Sequence, residues 1–496
     1  MAAISLLAMG EKEKQIKNSI LYLAPMAVSS VLPLLSMPIF TRILTKEDYG
    51  AIALAQIYAS FVSGLSNLGL PVVYERNFFQ YREQRSIAQL LYSTLGFVIS
   101  AFLLCAFFTY FLRSYFSKWI IGSSVYGDLL FWAFCATGIV SIKNYYLTYF
   151  KNTENARSFV WYTIDESILG IIFSLFWVAY LRVGVIGLIW GQLMASLIIL
   201  LILIFTFLKL HPPAFNREIL KDSLRLSLPL TPKSFIGVIG TQFDKYMIGL
   251  LNTVGGVGIY SIGQKIAYTV FSCMTALQNT YSPQVYKRMF DEAEKGGKSI
   301  GSYLTPFVYY SIAVALLVSL FSEELIIILT PPSYHGAIEI VIILSMFYGS
   351  MFFGKQPQLM FAQKTYIISI LSMLNIILNI LINVPFIMKW GVIGAAWGTL
   401  TAGLISGAIH FVISQKYYNI KWEYKKIISI FLLFFVSSIL IITMRSISIS
   451  YPFRFAVKCV SIISFLFIGI SIKAINIENI NLLRKVISLR QIPSKK

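Results

Sequence analysis

Residues 184–198, GVIGLIWGQLMASLI, and residues 391–405, GVIGAAWGTLTAGLI, agree at ten of fifteen positions at an offset of 207. Two low-complexity apolar runs do not reach that agreement by chance, so the chain contains an internal repeat. A weaker echo lies elsewhere in each half. Residues 44–56 (LTKEDYGAIALAQ) resemble residues 251–264 (LNTVGGVGIYSIGQ), each holding a glycine, five residues and then a glutamine. Pro25 and Pro229 also fall early in the leading helix of each half.

What repeats is membrane material. The 496 residues are 57% hydrophobic and 12% charged, with a mean hydropathy of +0.74, where soluble domains carry about 25% charged residues. Apolar stretches of about 20 residues, enough to span a bilayer, fall at 18–40, 50–74, 87–112, 127–148, 159–181 and 184–208. A second set falls at 226–251, 258–281, 302–322, 337–354, 366–388 and 391–414, and two more at 427–444 and 453–472. The expected fold is therefore an all-α polytopic membrane protein of about fourteen transmembrane helices. An offset of six helices preserves orientation, so the halves are parallel repeats with a site expected between them. The expected division is a six-helix lobe over 1–210, a second over 211–425, and two further helices with a tail over 426–496.

Loop charge tests this map independently, because short cytoplasmic loops hold the excess of Lys and Arg. Alternate segments beginning with the N-terminus hold 29 of the 41 Lys and Arg residues, and the opposite set holds eight. Both termini are thus expected in the cytoplasm. The remaining four, Lys233, Lys245, Lys265 and Lys458, lie inside spans. A net charge of +20 distributed this way does not suggest nucleic acid. Cys105, Cys135, Cys273 and Cys459 stand isolated in apolar segments, without disulfide or metal-ligand spacing. No removable signal peptide is expected, since Glu11–Lys17 forms a charged collar after an apolar start too short to span. Neither a cofactor nor a metal is implied, and no Walker motif is present.

The charges inside residues 226–282 are the exception that points to function. Lys233, Asp244, Lys245 and Lys265 occupy two adjacent spans read as separated by a glycine turn, NTVGGVG, at 252–258. One such charge at a helix centre costs about 2.5–3.5 kcal/mol on insertion scales, so four require a polar cavity, partners or snorkelling. Lys233, Gly237, Thr241 and Asp244 share a helical face, with Lys233 ~16 Å from Asp244. In the next span Gln264, Tyr268, Ser272, Thr275 and Asn279 form a polar stripe flanked by Lys265. An anionic ligand accounts for these lysines, Lys233 from the cytoplasmic side and Lys245 or Lys265 from the outer side; snorkelling or pairing with Asp244 accounts for them equally. Asp165 and Glu166 in the fifth span are candidates for binding a coupling proton or sodium ion, or sit solvated near the boundary. The glycines at 184, 187 and 191 and at 391, 394 and 398 are read as close-packing faces. Pro25, Pro33 and Pro38 in the first span, and Pro229 and Pro232 in the seventh, are read as kinks, either hinges for bending between inward-open and outward-open states or fixed bends adapted to packing.

The paired GVIGxxWGxLxA segments, the charged FDKYMIG and VGIYSIGQKIA runs and the twofold six-helix plan resemble the bacterial polysaccharide-biosynthesis flippases. These are O-antigen or Wzx-type members of the multidrug/oligosaccharidyl-lipid/polysaccharide exporter superfamily, and the resemblance covers residues 18–415. It implies MATE-like lobes in the bacterial plasma membrane. By alternating access these would translocate an undecaprenyl-pyrophosphate-linked oligosaccharide unit for O-antigen, capsule or another surface polysaccharide. It also implies partners among polysaccharide polymerases and assembly proteins. A cation-coupled drug exporter is the second reading, disfavoured by the excess of basic charge. An integral-membrane glycosyltransferase or polymerase is the third, disfavoured by outward loops that are short and poor in charge; the chain is read as a non-enzyme. Reporter fusions at Arg82, Lys151, Lys295 and Lys421 should therefore report cytoplasm, and fusions at Lys46, Ser333 and Ser450 the outside. Reversal at two successive loops would overturn the helix map.

Overall fold

The computed structural model describes residues 28 and 31–473, except 82, 154, 293–295 and 355–356. The collar at Glu11–Lys17, Pro25 and the C-terminal tail lie outside the described residues. Among those described there is no strand, and each of the fourteen predicted stretches is mainly helical where it is described. Among the described residues nine helices are long and apolar enough to cross a membrane, or ten if one bent pair is a single span. The chain is a multi-pass membrane protein. It divides into two compact units, Met1–Ser261 with Ile328–Tyr334, and Ile262–Ile327 with His335–Lys496.

In the first unit α1 (Val31–Ile43) leads to α2 (Lys46–Asn67), which starts where Thr45 and Asp48 cap one another reciprocally. At Leu68 and Gly69, both at positive φ, the helix breaks and α3 (Leu70–Gln80) leaves at 43°. The spans α4 (Gln84–Ile120), α5 (Gly127–Asn152), α6 (Ala156–Leu175) and α7 (Ile186–Leu210) follow. The charged link after α7 is itself a helix, α8 (Arg217–Ser227), capped by Asn216. Its buried face, Ile219, Ser223 and Ser227, lies at four-residue spacing; Asn77 donates to Ser223 at 3.2 Å, tying α8 to α3. His211, buried just beyond α7, sits 2.9 Å from the Tyr149 hydroxyl, and burial lowers its pKa. Leu70, Leu90, Tyr145, Leu203 and Phe207 join α3, α4, α5 and α7 in one core.

The seventh predicted span starts later than expected, and the eighth starts earlier. The seventh begins at Thr231 as α9 (Thr231–Leu251), after a 3-10 turn over Leu228–Leu230. Pro229 lies in that turn and Pro232 in the first helical turn, where a missing N–H leaves no bond unmade, so they open the helix rather than kink it. The predicted glycine turn shrinks to Asn252 and Thr253. The Thr253 hydroxyl accepts the Gly256 N–H at 3.0 Å, and α10 (Val254–Glu292) starts at Val254, with the glycines in its first turns.

Those glycines serve a helix crossing. A Cβ on Gly50 would lie 2.9 Å from Val254 Cγ1 and closer still to the Val254 carbonyl. One on Gly258 would collide with the Lys46 carbonyl and lie 3.0 Å from the Gly50 nitrogen. Gly50 and Gly258 are the repeat-related glycines, so the two halves' equivalent helices meet backbone to backbone.

In the second unit the remainder of α10 is followed by α11 (Gly296–Leu320), α12 (Ser322–Leu329) and α13 (Ala337–Ser350). Ile338 and Ile340–Leu344 are all buried, as expected of a helix apolar all round at the centre of its unit. A short α14 (Gln358–Phe361) precedes α15 (Thr365–Tyr417), which holds two predicted spans broken at Gly391, φ 59° and ψ −136°. Gly184, its counterpart, has φ 78°. These two glycines are therefore turns, not parts of a packing face. The other four do pack: Gly191 against Ser174 and Gly187 against Trp177, Gly398 against Asn383 and Gly394 against Phe386.

The last helices, α16 (Tyr424–Ser446) and α17 (Tyr451–Ser471), dock on this unit. Lys458, fully buried, donates to both Glu324 oxygens at 2.7 and 2.8 Å, while Arg454 pairs with Glu323 at 2.7 Å. Tyr309 stacks on Phe465 with centroids 4.6 Å apart.

Gly258→Ala should destabilise the detergent-purified protein by about 1–3 kcal/mol, the usual range for overpacking. Gly407→Ala, with nothing within 4 Å of its new methyl, should leave the thermal midpoint unchanged.

Candidate functional site

The charged residues of α9 and α10 sit on helices that fail the apolarity test the nine spans pass. On α9 Asp244 and Lys245 are half-buried. Asp244 Oδ2 accepts the Tyr260 hydroxyl of α10 at 2.9 Å, across the two-residue turn, and Lys245 donates to Gln242 at 3.3 Å. The Tyr260 ring itself is fully buried, so it fixes the carboxylate against the start of α10. The side chain of Lys233 lies outside the described residues.

Gln264 and Lys265 belong to the part of α10 in the second unit. There the helix is two-faced. Ile262, Ile266, Val270 and Met274 are buried, and a Cβ on Gly263 would meet Ile340 of α13 at 2.8 Å. The predicted polar stripe occupies the other side: Lys265, Tyr268 and Asn279 are exposed, and Gln264, Ser272 and Thr275 are half-buried. Tyr268, Phe271 and Tyr348 form an aromatic cluster beside it, with centroids 5.1–5.9 Å apart.

Asp165 and Glu166 part company. Asp165 is exposed on α6 beside Trp161 and Ile168. Glu166 faces inward, where it is ion-paired with Lys143 of α5 and accepts the Ser196 hydroxyl of α7 at 2.5 Å. Lys143 is 3% exposed. Although it falls inside the expected span 127–148, it stands among the loop cations in the charge partition, and α5, running to Asn152, holds it within the helix. Its signal in the sequence was the polar run Ser141, Lys143 and Asn144 near the end of an apolar span.

A second polar knot lies at the α2 break, on Asn67. Its amide donates to Ser141 at 2.9 Å and to the Ser63 carbonyl at 2.8 Å, and Tyr145 donates to its oxygen at 3.2 Å. Neutral groups of this kind leave no trace in a charge count. Among the described residues no cluster of His, Cys, Asp and Glu could hold a metal ion.

The family model described as "Polysaccharide biosynthesis protein" matches residues 16–277. The probable low-salt glycan biosynthesis flippase Agl15 of Haloferax volcanii is 24% identical over 203 residues, 39% of this chain and 43% of that protein. The match thus spans less than half the length of this curated relative. The solved lipid II flippase MurJ, in an inward closed conformation, superposes with a TM-score of 0.65 at 15% identity over 92% of this chain and 99% of that one. A MATE crystal structure gives 0.55 at 16% identity over 82% and 95%. At such identities these two structures speak for the fold alone.

Removing one partner of a buried ion pair costs about 3–5 kcal/mol, because the other charge is left uncompensated. Lys143→Met and Glu166→Gln should each lower the yield of folded protein, and the double variant should recover much of it. A Glu166→Gln protein that folds normally but no longer transports would instead assign Glu166 to ion coupling.

Proposed function

The chain belongs to the polysaccharide biosynthesis protein family, and from that premise we propose that it flips an undecaprenyl-pyrophosphate-linked oligosaccharide unit across the bacterial plasma membrane. The observation that carries this reading is the cationic hairpin of α9 and α10, within the fold shared with MurJ. Pyrophosphate and sugar hydroxyls do not enter hydrocarbon without partners, since each unpaired polar group costs several kcal/mol. A polyprenyl tail has no such need and stays in lipid while the head group crosses.

In this proposal Lys233 meets the phosphates from the cytoplasmic side, and Lys245 and Lys265 meet them from the outer side. Gln264 and the stripe it begins offer hydrogen bonds to sugar hydroxyls. Asp244, held by Tyr260, orients the hairpin. The lobes comprise residues 1–210 and 211–425, with 426–496 appended, and both termini are cytoplasmic. Asp165 is the better of the two candidates for an ion-coupling carboxylate, because Glu166 already has Lys143 as its counter-ion. The product of each cycle is substrate for a polymerase, which makes such an enzyme the expected partner.

The test is the leaflet and length of the lipid-linked sugar that accumulates in a deletion strain. Complete repeat units stranded on the cytoplasmic leaflet, with surface glycan depleted and drug susceptibility little changed, are expected. Complementation by Lys233→Gln should fail at normal protein abundance, and Lys233→Arg should restore more of the glycan. Complete units already facing outward would sink the flippase reading, and a truncated unit would favour a glycosyltransferase.

A further inference from the structure

The repeat makes Trp190 and Trp397 equivalent, yet their surroundings differ. In the first half Trp177 and Trp132 lie edge-on to Trp190, with centroids 5.2 and 6.1 Å away, so the protein covers that ring with two of its own. Gly187 meets Trp177 and Val178 just as Gly394 meets Phe386 and Ile387, which makes Phe386 the counterpart of Trp177. Phe386, however, turns edge-on to Trp390 at 4.9 Å, and among the described residues Trp397 has no ring partner. A groove of about 450 Å3 is left between Phe386, Trp390, Ile393 and Trp397.

This groove lies on the outside of its helices. The most apolar 18-residue stretch within residues 366–417 is only 11% buried, so most of its side chains are left uncovered by the rest of the protein. Trp390 is 50% exposed, and Lys389 stands at the mouth with its Nζ 4.9 Å from the centre of the Trp390 ring. The Gly391 turn puts both at one end of the two spans, the level at which tryptophan and lysine meet headgroups. A sugar seated in so apolar a lining would leave hydroxyls unpaired, whereas a hydrocarbon chain would leave nothing unmade. The cation above the slot selects a lipid that carries negative charge.

We propose that the groove between Phe386 and Trp397 is a binding site for an anionic phospholipid, whose acyl chain lies against Trp390 and Trp397 and whose phosphate meets Lys389. This site is separate from the α9–α10 hairpin and stands whatever the cargo is.

The test uses the full-length protein in nanodiscs of phosphatidylcholine containing a graded fraction of phosphatidylglycerol, with one lipid at a time brominated on its acyl chain. Bromine quenches indole emission on contact, and subtracting the Trp397→Phe signal isolates Trp397 from the other tryptophans. Brominated phosphatidylglycerol should quench Trp397 at a lower mole fraction than brominated phosphatidylcholine. Lys389→Gln should cut that preference about fivefold, the effect of one lysine near a bilayer surface. Trp390→Phe provides an independent subtraction should Trp397→Phe fold poorly. Equal quenching by the two lipids, a preference that survives Lys389→Gln, or a Trp397 that neither lipid reaches would each overturn the proposal.

Discussion

Hydrocarbon offers an ionised side chain nothing in exchange for its water, and the buried charges of this protein are arranged around that deficit. Among the described residues two lysines are buried, and each faces a carboxylate: Lys143 meets Glu166, and Lys458 meets Glu324. The first pair joins consecutive helices, and the second joins helices far apart in sequence. Lys143 and Glu166 link α5 to α6, with Ser196 bringing in α7; Lys458 and Arg454 fasten α17 to the start of α12 through two adjacent glutamates. Such pairs do not add much net stability, but they penalise any arrangement that separates them. They therefore select one packing of helices whose apolar surfaces alone would tolerate many.

The second constraint is the distance of approach between helices. Lipid tails compete equally for apolar side chains, so association within a membrane depends on close backbone packing. At Gly50 and Gly258 the crossing helices leave no room for a methyl group. These positions correspond in the two halves of the chain. Glycine is the residue that lets backbones meet there.

Against this background the α9–α10 hairpin stands apart. Its polar stripe turns away from the buried face of α10, and the hydrogen bond from Tyr260 to Asp244 holds the turn. Lys265 stands on the exposed side of α10.

Composition, loop charge and the 207-residue repeat suffice for the all-α membrane class, the helix order and the twofold plan, because span length and charge exclusion are written locally along the chain. The polar stripe of α10 was legible for the same reason, since helical periodicity alone puts Gln264, Tyr268 and Ser272 on one side. The partners of charges were not legible. Glu166 and Asp165 are neighbours in sequence, yet one is paired inside the unit and the other is exposed, because 100° of helical rotation separates them and only packing decides which direction is inward. Gly184 and Gly391 likewise read as helix-face glycines until the backbone showed them at positive φ, ending one helix before the next begins. Pairing, turning and closing of grooves depend on contacts between residues far apart in the chain, and those exist only once the helices are assembled.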